Sequence, residues 1–357
     1  MGEKKSMKHR LAIIGFGGMG TWHYENITQK IEEIEVVGAY DIRPEVEMSV
    51  KEAGLKWYKS LDEVLKDESI DIVTIATPND VHKELAIKCL RQGKNVICEK
   101  PVTMNAKELE EVIAVRNETG KVFSVHQNRR WDKDYAIVRK VIEEDTIGKV
   151  CMIENRVQGS RQAMHGWRAF KHNGGGMLLD WGVHLIDQLL WMIKSPVIGV
   201  YADLQSIYSE EVDDNLKVML KFEEGVSALV EVATNCFINQ CRWHMIGEEG
   251  TAVVEDWDCT GKVVKLKGEG KMEWADTIIY TEAGPTRTMA PRPSETTQTL
   301  SLPYVQTEWT DYYKNIVSVL EGASELIVKP EECLRVMRVI DAIFESAEKN
   351  RSVECYI

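Results

Sequence analysis

The stretch "RLAIIGFGGMGTWHYENI", residues 10–27, constrains the fold most. A short apolar run meets a glycine cluster, and a helical pattern begins at once. Gly15, Gly17 and Gly20 fall in the spacing G-x-G-x-x-G. A second apolar run, "EVVGAYD", ends in Asp41 about twenty residues on. Three more follow, "DIVTIATPN", "NVICEKP" and "KVFSVHQN", separated by helical patterns such as "DVHKELAIKCLRQG". Strands alternating with helices of this length imply a parallel sheet with crossover helices. Strands that are apolar throughout fit a sheet covered on both faces.

In that context the glycines are a dinucleotide-binding fingerprint. They let backbone approach a diphosphate, and the helix N-terminus attracts its charge. Asp41 suits the hydroxyls of an adenosine ribose and repels a 2'-phosphate, which favours NAD over NADP. Arg43 tempers that preference. Ligands of open α/β sheets lie beyond the carboxyl ends of the strands. This brings "ATPN" and "CEKP" to the same crevice. The expected cofactor set is Gly15, Phe16, Gly17, Gly18, Met19, Gly20, Asp41, Ile42, Arg43, Thr77, Pro78, Asn79, His82, Glu99, Lys100 and Asn128.

From about Lys149 the texture changes to strand-like, often alternating segments joined by short turns, which predicts a mainly antiparallel sheet. Between its first two strands lies "GGGMLLDWGVHLIDQLLWM", residues 174–192. Asp180, His184, Asp187 and Gln188 share one helical face there. That face carries no Lys or Glu, so it reads as a site wall rather than a solvent face. Gly182 costs about 1 kcal/mol relative to Ala in a helix interior, which suggests a close approach.

The 357 residues suffice for two domains. The formal net charge of −13 argues against nucleic acid or an anionic membrane as partner. No apolar run approaches the ~20 residues of a membrane span, and "MGEKKSMKHR" has no signal-like apolar region. Eight scattered cysteines form no CxxC pair and no zinc-type cluster, so no metal is expected. They point to a reducing, cytoplasmic location.

"GFGGMG", Asp41, "ATPN", "CEKP", "NRRWD" and "GGGMLLDWGVHLID", in this order, resemble the glucose–fructose oxidoreductase / inositol dehydrogenase (Gfo/Idh/MocA) family. The resemblance implies an α/β chain: a Rossmann domain with a doubly wound parallel sheet, then an α+β domain with a large open, mainly antiparallel sheet. We place these at 1–128 and 129–335, with a C-terminal helix and tail, 336–357, packing back on the first domain. The resemblance implies oxidation of a secondary ring hydroxyl on a sugar, glycoside or inositol-type polyol, the 3-hydroxyl of a glucoside among them. It assigns Lys100, Asp180 and His184 as catalytic residues, and it implies a homo-oligomer.

A His has a reference pKa of ~6.5, which suits a general base near neutral pH. A Lys, at ~10.4, would need a large depression. His184 is therefore the expected base. Lys100 steadies the reacting oxygen, and Asp180 orients His184 or contacts substrate. The expected substrate-binding set is Lys100, Asn128, Arg129, Trp131, Trp167, Arg168, Asp180 and His184. Aromatic faces at Trp131, Trp167 and Trp181 suit a sugar ring. A redox-assisted glycosidase, a biliverdin-type reductase and a non-catalytic NAD-binding regulator remain alternatives. The long segment Thr281–Pro303, with Arg287 and Arg292, is expected to cover the pocket or reach a neighbouring subunit.

Overall fold

The computed structural model describes residues 8–268, 278–286 and 292–357. Apolar runs buried on both faces build the first sheet. Its strands are β1 (His9–Ile14), β2 (Ile34–Tyr40), β3 (Lys56–Trp57), β4 (Ile72–Ile75), β5 (Asn95–Cys98) and β6 (Phe123–Val125). All pair in parallel, in the order β3-β2-β1-β4-β5-β6. The order reverses between β1 and β4, so a crevice opens at their carboxyl ends. Helices α1 (Gly18–Lys30), α2 (Glu47–Glu52), α3 (Leu61–Lys66), α4 (His82–Arg91) and α5 (Ala106–Thr119) make the crossovers.

Helix α6 (Lys133–Glu143) leads into a second, nine-stranded sheet. It contains β7 (Val150–Gln158), β8 (Val197–Gln205), β9 (Asn215–Phe222), β10 (Ser227–Ala233), β11 (Trp243–Gly247), β12 (Gly250–Val254) and β13 (Gly261–Leu266). A small hairpin, β14 (Ile279–Thr281) and β15 (Gly284–Thr286), stands apart from it. The remaining edge strands are β16 (Thr297–Leu300) and β17 (Val353–Glu354). The order is β16-β13-β12-β11-β7-β10-β9-β8-β17. One pair, β7 with β10, is parallel; the others are antiparallel. Strand β9 alternates buried and exposed residues, as a sheet with one covered face requires. Residues 297–300 form an edge strand of the second sheet and do not line the cleft. Arg287 lies outside the described residues.

The segment of interest connects β7 to β8. It opens with a π-helical turn, Leu178–Gly182, and continues as α7 (Val183–Met192). A single π turn inside a helix often accompanies a functional site. Gly182 packs against Leu178 and Leu216, where an added Cβ would lie 3.0 Å from the Leu178 side chain. Helices α8 (Thr310–Leu320) and α9 (Pro330–Lys349) close the molecule. Helix α9 packs on α5 and β6 of the first sheet and on α7 and β8 of the second. The tail after it turns away from the first domain and adds β17 beside β8. No described helix is long and apolar enough to cross a membrane.

Arg130 ties helix α7 to helix α9. It makes a bidentate pair with Asp187 of α7 at 2.7 and 2.8 Å and a third bond to Glu332 of α9 at 2.8 Å. Both Arg130 and Asp187 are buried. Removing one partner strands a buried charge, which costs about 3–5 kcal/mol. Asp187→Ala should lose that much stability by urea denaturation, and a loss below about 1 kcal/mol would contradict the assignment.

Candidate active site

The nucleotide end of the crevice is built from the β1–α1 turn. Gly15 has a positive φ of +91°, and a Cβ there would stand 2.5 Å from the Ala76 carbonyl oxygen. A Cβ on Gly20 would overlap the Gly15 carbonyl. These two glycines let α1 pack against the sheet. Gly18 differs: a Cβ there meets nothing within 4 Å, and at Gly17 it meets only the Arg43 guanidinium. Helix α1 has no side-chain cap at Gly17 and no acidic residue in its first turn. Uncapped amides and the helix dipole face open space there, which fits a diphosphate.

Asp41 closes the far side. Its carboxylate accepts the Phe16 amide at 2.8 Å and is gripped by Arg43 through Nε and Nη2, both at 2.9 Å. Burial would raise its pKa; the bonds from Arg43 and Phe16 outweigh burial and hold it below the usual carboxylate range. The cleft has a volume of about 820 Å³ and runs from Asp41 to Trp167 and Asp180. Gly17, Gly18, Met19, Ile42, Arg43, Thr77, Pro78, Asn79, Glu99 and Lys100 line it between those ends.

At the other end the two domains meet. Lys100, at the carboxyl end of β5, donates from Nζ to the Asp180 carbonyl at 2.8 Å and to Asp180 Oδ1 at 3.0 Å. The Lys100–Pro101 bond is cis. Arg168 donates from Nε to the same Oδ1 at 3.2 Å. Burial would raise the Asp180 pKa, but Lys100 and Arg168 outweigh it and keep the carboxyl ionised. His184 is buried, and its Nδ1 has no hydrogen-bond partner among the described residues. Burial, with the nearby cations Lys100 and Arg129, holds its pKa well below the ordinary histidine value. It is a neutral imidazole at neutral pH, and the same burial and cations make it a weaker proton acceptor than a free histidine. Lys100 offers N–H donors to an oxygen bearing developing charge.

Several expected residues sit elsewhere. His82 lies behind the crevice wall, fully buried, with its ring nitrogens bonded to the Pro101 and Thr77 carbonyls at 2.9 and 3.0 Å. It braces two cleft segments instead of touching a ligand. The Phe16 side chain is buried against Tyr24, and only its amide serves the site. Trp131 packs edge-on against Tyr312. Neither Asn128 nor Trp131 lines the cleft. Arg129 is stacked on Trp181, 4.1 Å from the ring centre, and reaches the site through its charge on His184. Asp187 and Gln188 are buried away from the cleft: Asp187 pairs with Arg130, and Gln188 donates to the Arg129 carbonyl. Of that polar face Asp180 alone lines the cleft, and His184 lies buried behind it, within reach of the Lys100 charge.

Asp213 was not legible beforehand. Its Oδ2 accepts the Leu178 amide at 2.7 Å and its carbonyl accepts the Met177 amide at 2.9 Å, anchoring the start of the helix that carries Asp180. Gly176, with φ +100°, leaves room for that carboxylate. Glu99 is also held: its Oε1 meets His23 Nε2 and His126 Nδ1, both at 2.8 Å. Those three side chains lie within metal-ligating distance of one another. Two nitrogens sharing one oxygen at 2.8 Å are at hydrogen-bond separation.

A glycine cradle on a parallel sheet, with a second domain supplying the far wall, defines a dinucleotide-binding oxidoreductase. The model of the oxidoreductase family with NAD-binding Rossmann fold matches residues 9–127, and the GFO/IDH/MocA C-terminal domain matches residues 135–253. The chain belongs to the Gfo/Idh/MocA oxidoreductase family. The solved structure of an NAD-binding protein from Listeria innocua superposes with a TM-score of 0.94 at 45% identity, covering 98% of this chain and 100% of that one. A scyllo-inositol 2-dehydrogenase (NADP(+)) of Bacillus subtilis is 26% identical over 360 residues, 99% of this chain and 97% of that protein. A scyllo-inositol 2-dehydrogenase (NAD(+)) of the same organism is 28% identical over 260 residues, 70% of this chain and 75% of its own.

The glycines separate fold from binding. Gly20→Ala should lower the melting temperature by several degrees, because the helix must shift off the sheet. Gly18→Ala should leave melting unchanged while weakening NADH binding, read by fluorescence titration. Equal effects of the two on melting would contradict this division.

Proposed function

We propose that the protein is an NAD-dependent dehydrogenase of a secondary ring hydroxyl on a sugar, glycoside or inositol-type polyol. For a glucoside we assign the 3-hydroxyl. The observation that carries this reading is the pairing of Lys100 from one domain with Asp180 from the other, beside the glycine cradle, with His184 buried close enough for the Lys100 charge to act on it. A bound nicotinamide supplies the acceptor for the hydride. Lys100 donates to the reacting oxygen and stabilises it as the C–H bond breaks. His184 takes the hydroxyl proton. Asp180 fixes the Lys100 ammonium and balances the charge that arrives on His184. The assembled set speaks against a regulator that only binds NAD.

Asp41 supports NAD: a buried anion accepts a ribose diol and repels a 2'-phosphate. Arg43 occupies that carboxylate, so the diol takes over its bonds as Arg43 swings outward. The relatives named for scyllo-inositol differ in cofactor, which makes this residue pair the place to test. Asp41→Ala should weaken NADH binding about tenfold while NADPH binding holds or improves. An unchanged NADH/NADPH ratio would contradict it.

NADH formation on a panel of inositols, free sugars and glucosides tests the reaction. At least one should turn over, and Lys100→Met and His184→Asn should each lower kcat by about 10²-fold or more with NADH binding intact. Full activity in either variant would overturn the roles. The pH profile is a separate check. A histidine pKa below the ordinary ~6.5 leaves His184 unprotonated as pH falls through that value. Oxidation should therefore persist below pH 6.5, and an acid limb at or above 6.5 would count against His184 as base.

A further inference from the structure

The substrate end of the cleft presents a guanidinium fork that a neutral sugar does not explain. Between Gly159 and Leu179 the chain carries Arg161, His165, Arg168, Lys171 and His172, and no Asp or Glu. This basic stretch stands in a protein of net charge −13. One of its cations, Arg168, lines the cleft. Its guanidinium stacks on Trp167, 4.3 Å from the ring centre, which fixes its plane. Its Nε is committed to Asp180 Oδ1 at 3.2 Å. Neither Nη has a partner among the described residues.

The carboxylates that line this end are already engaged. Asp180 Oδ1 also takes the Lys100 ammonium at 3.0 Å. Glu99 is clamped by His23 and His126. Asp80 accepts from Asn173 Nδ2 at 3.2 Å. Arg129, which bears on His184, is answered by Asp132 at 2.9 Å. Arg168 is itself ion-paired to Asp180 through Nε; its side chain is 37% exposed, and what stays open is the Nη end of its fork at the cleft. A stacked guanidinium with both Nη amino groups open matches two oxygens of one anion. Isolated hydroxyls need no such fork.

We propose that the substrate carries an anionic group, a carboxylate or a phosphate, received by Arg168 while Lys100 and His184 act on a hydroxyl of the same molecule. This rests on the polyol or sugar oxidation proposed above. Arg168 then determines specificity, and its stacking on Trp167 sets the direction of approach.

The test compares matched probes with NAD: glucuronate and glucose 6-phosphate against glucose, and myo-inositol 1-phosphate against myo-inositol. At least one acid should exceed its neutral partner in kcat/KM by about tenfold or more. The probe that does so tells carboxylate from phosphate. In Arg168→Gln that ratio should fall to about unity; in Arg168→Lys, which keeps the charge but loses the fork, it should fall part of the way. The ratio is the readout, so any common loss through Asp180 cancels. Calorimetric titration of the same probes into the enzyme–NADH complex gives a second measure. Arg168-dependent binding of an acid without turnover of any probe would uphold the anion site and sink the oxidation reading. Equal kcat/KM for acid and neutral members, or a ratio untouched by Arg168→Gln, would overturn the proposal.

Discussion

One ion pair governs this molecule, that between Lys100 and Asp180. The lysine ends a strand of the first sheet and the aspartate sits in a π turn over the second, so the pair spans the cleft. Taking both charges partly out of water is costly unless hydrogen bonds complete their shells. Here the Asp180 carbonyl and the Arg168 Nε complete them. The consequence reaches the neighbouring histidine. Burial, Lys100 and Arg129 together keep His184 neutral, and Asp180 holds the Lys100 ammonium in place. The neutrality of the histidine and the contact between the domains thus rest on a single electrostatic arrangement.

How much of this was legible follows from the range of each interaction. The glycine turn, Asp41 and the strand ends could be read because a parallel sheet brings all its carboxyl ends to one edge. Lys100, Thr77 and Asn79 follow from that topology. The helix at 178–192 was harder. Periodicity groups Asp180, His184, Asp187 and Gln188 on one face. It cannot say that Arg130, from a different segment, lies waiting for Asp187. His82 misled for the same reason: both its partners are backbone carbonyls. Asp213 left no local signal, since it caps a helix start 35 residues before it in the chain. Edge strands such as β17, two residues long, are too short to carry a pattern.

The buried His23–Glu99–His126 group shows how the fold supports Lys100. One glutamate oxygen is shared by two imidazoles, which pull its pKa well down against the effect of burial. The other oxygen accepts the Lys100 amide at 3.2 Å. Tyr313 of α8 bonds the outer nitrogen of His23, so the network extends from α1 across to α8. Aromatic rings pack around it, Trp22 and Tyr312 against His126. Its one open atom is His126 Nε2, buried without a partner among the described residues.

Helix α9 has a consequence for recombining such proteins. One face lies on α5 and another on α7 and β8, and Asp341 of this helix accepts the Ala106 amide at the start of α5. Its Arg335 also closes the end of α7 through the carbonyls of Leu190, Ile193 and Ser195. The boundary between the two domains is therefore not a point on the chain. A chimera that joined the nucleotide half of one homologue to the sheet half of another would inherit α9 from one parent and seat it on a foreign surface. Exchange would succeed only where both docking faces travel with the helix, which makes the whole chain, not the domain, the unit that can be transplanted.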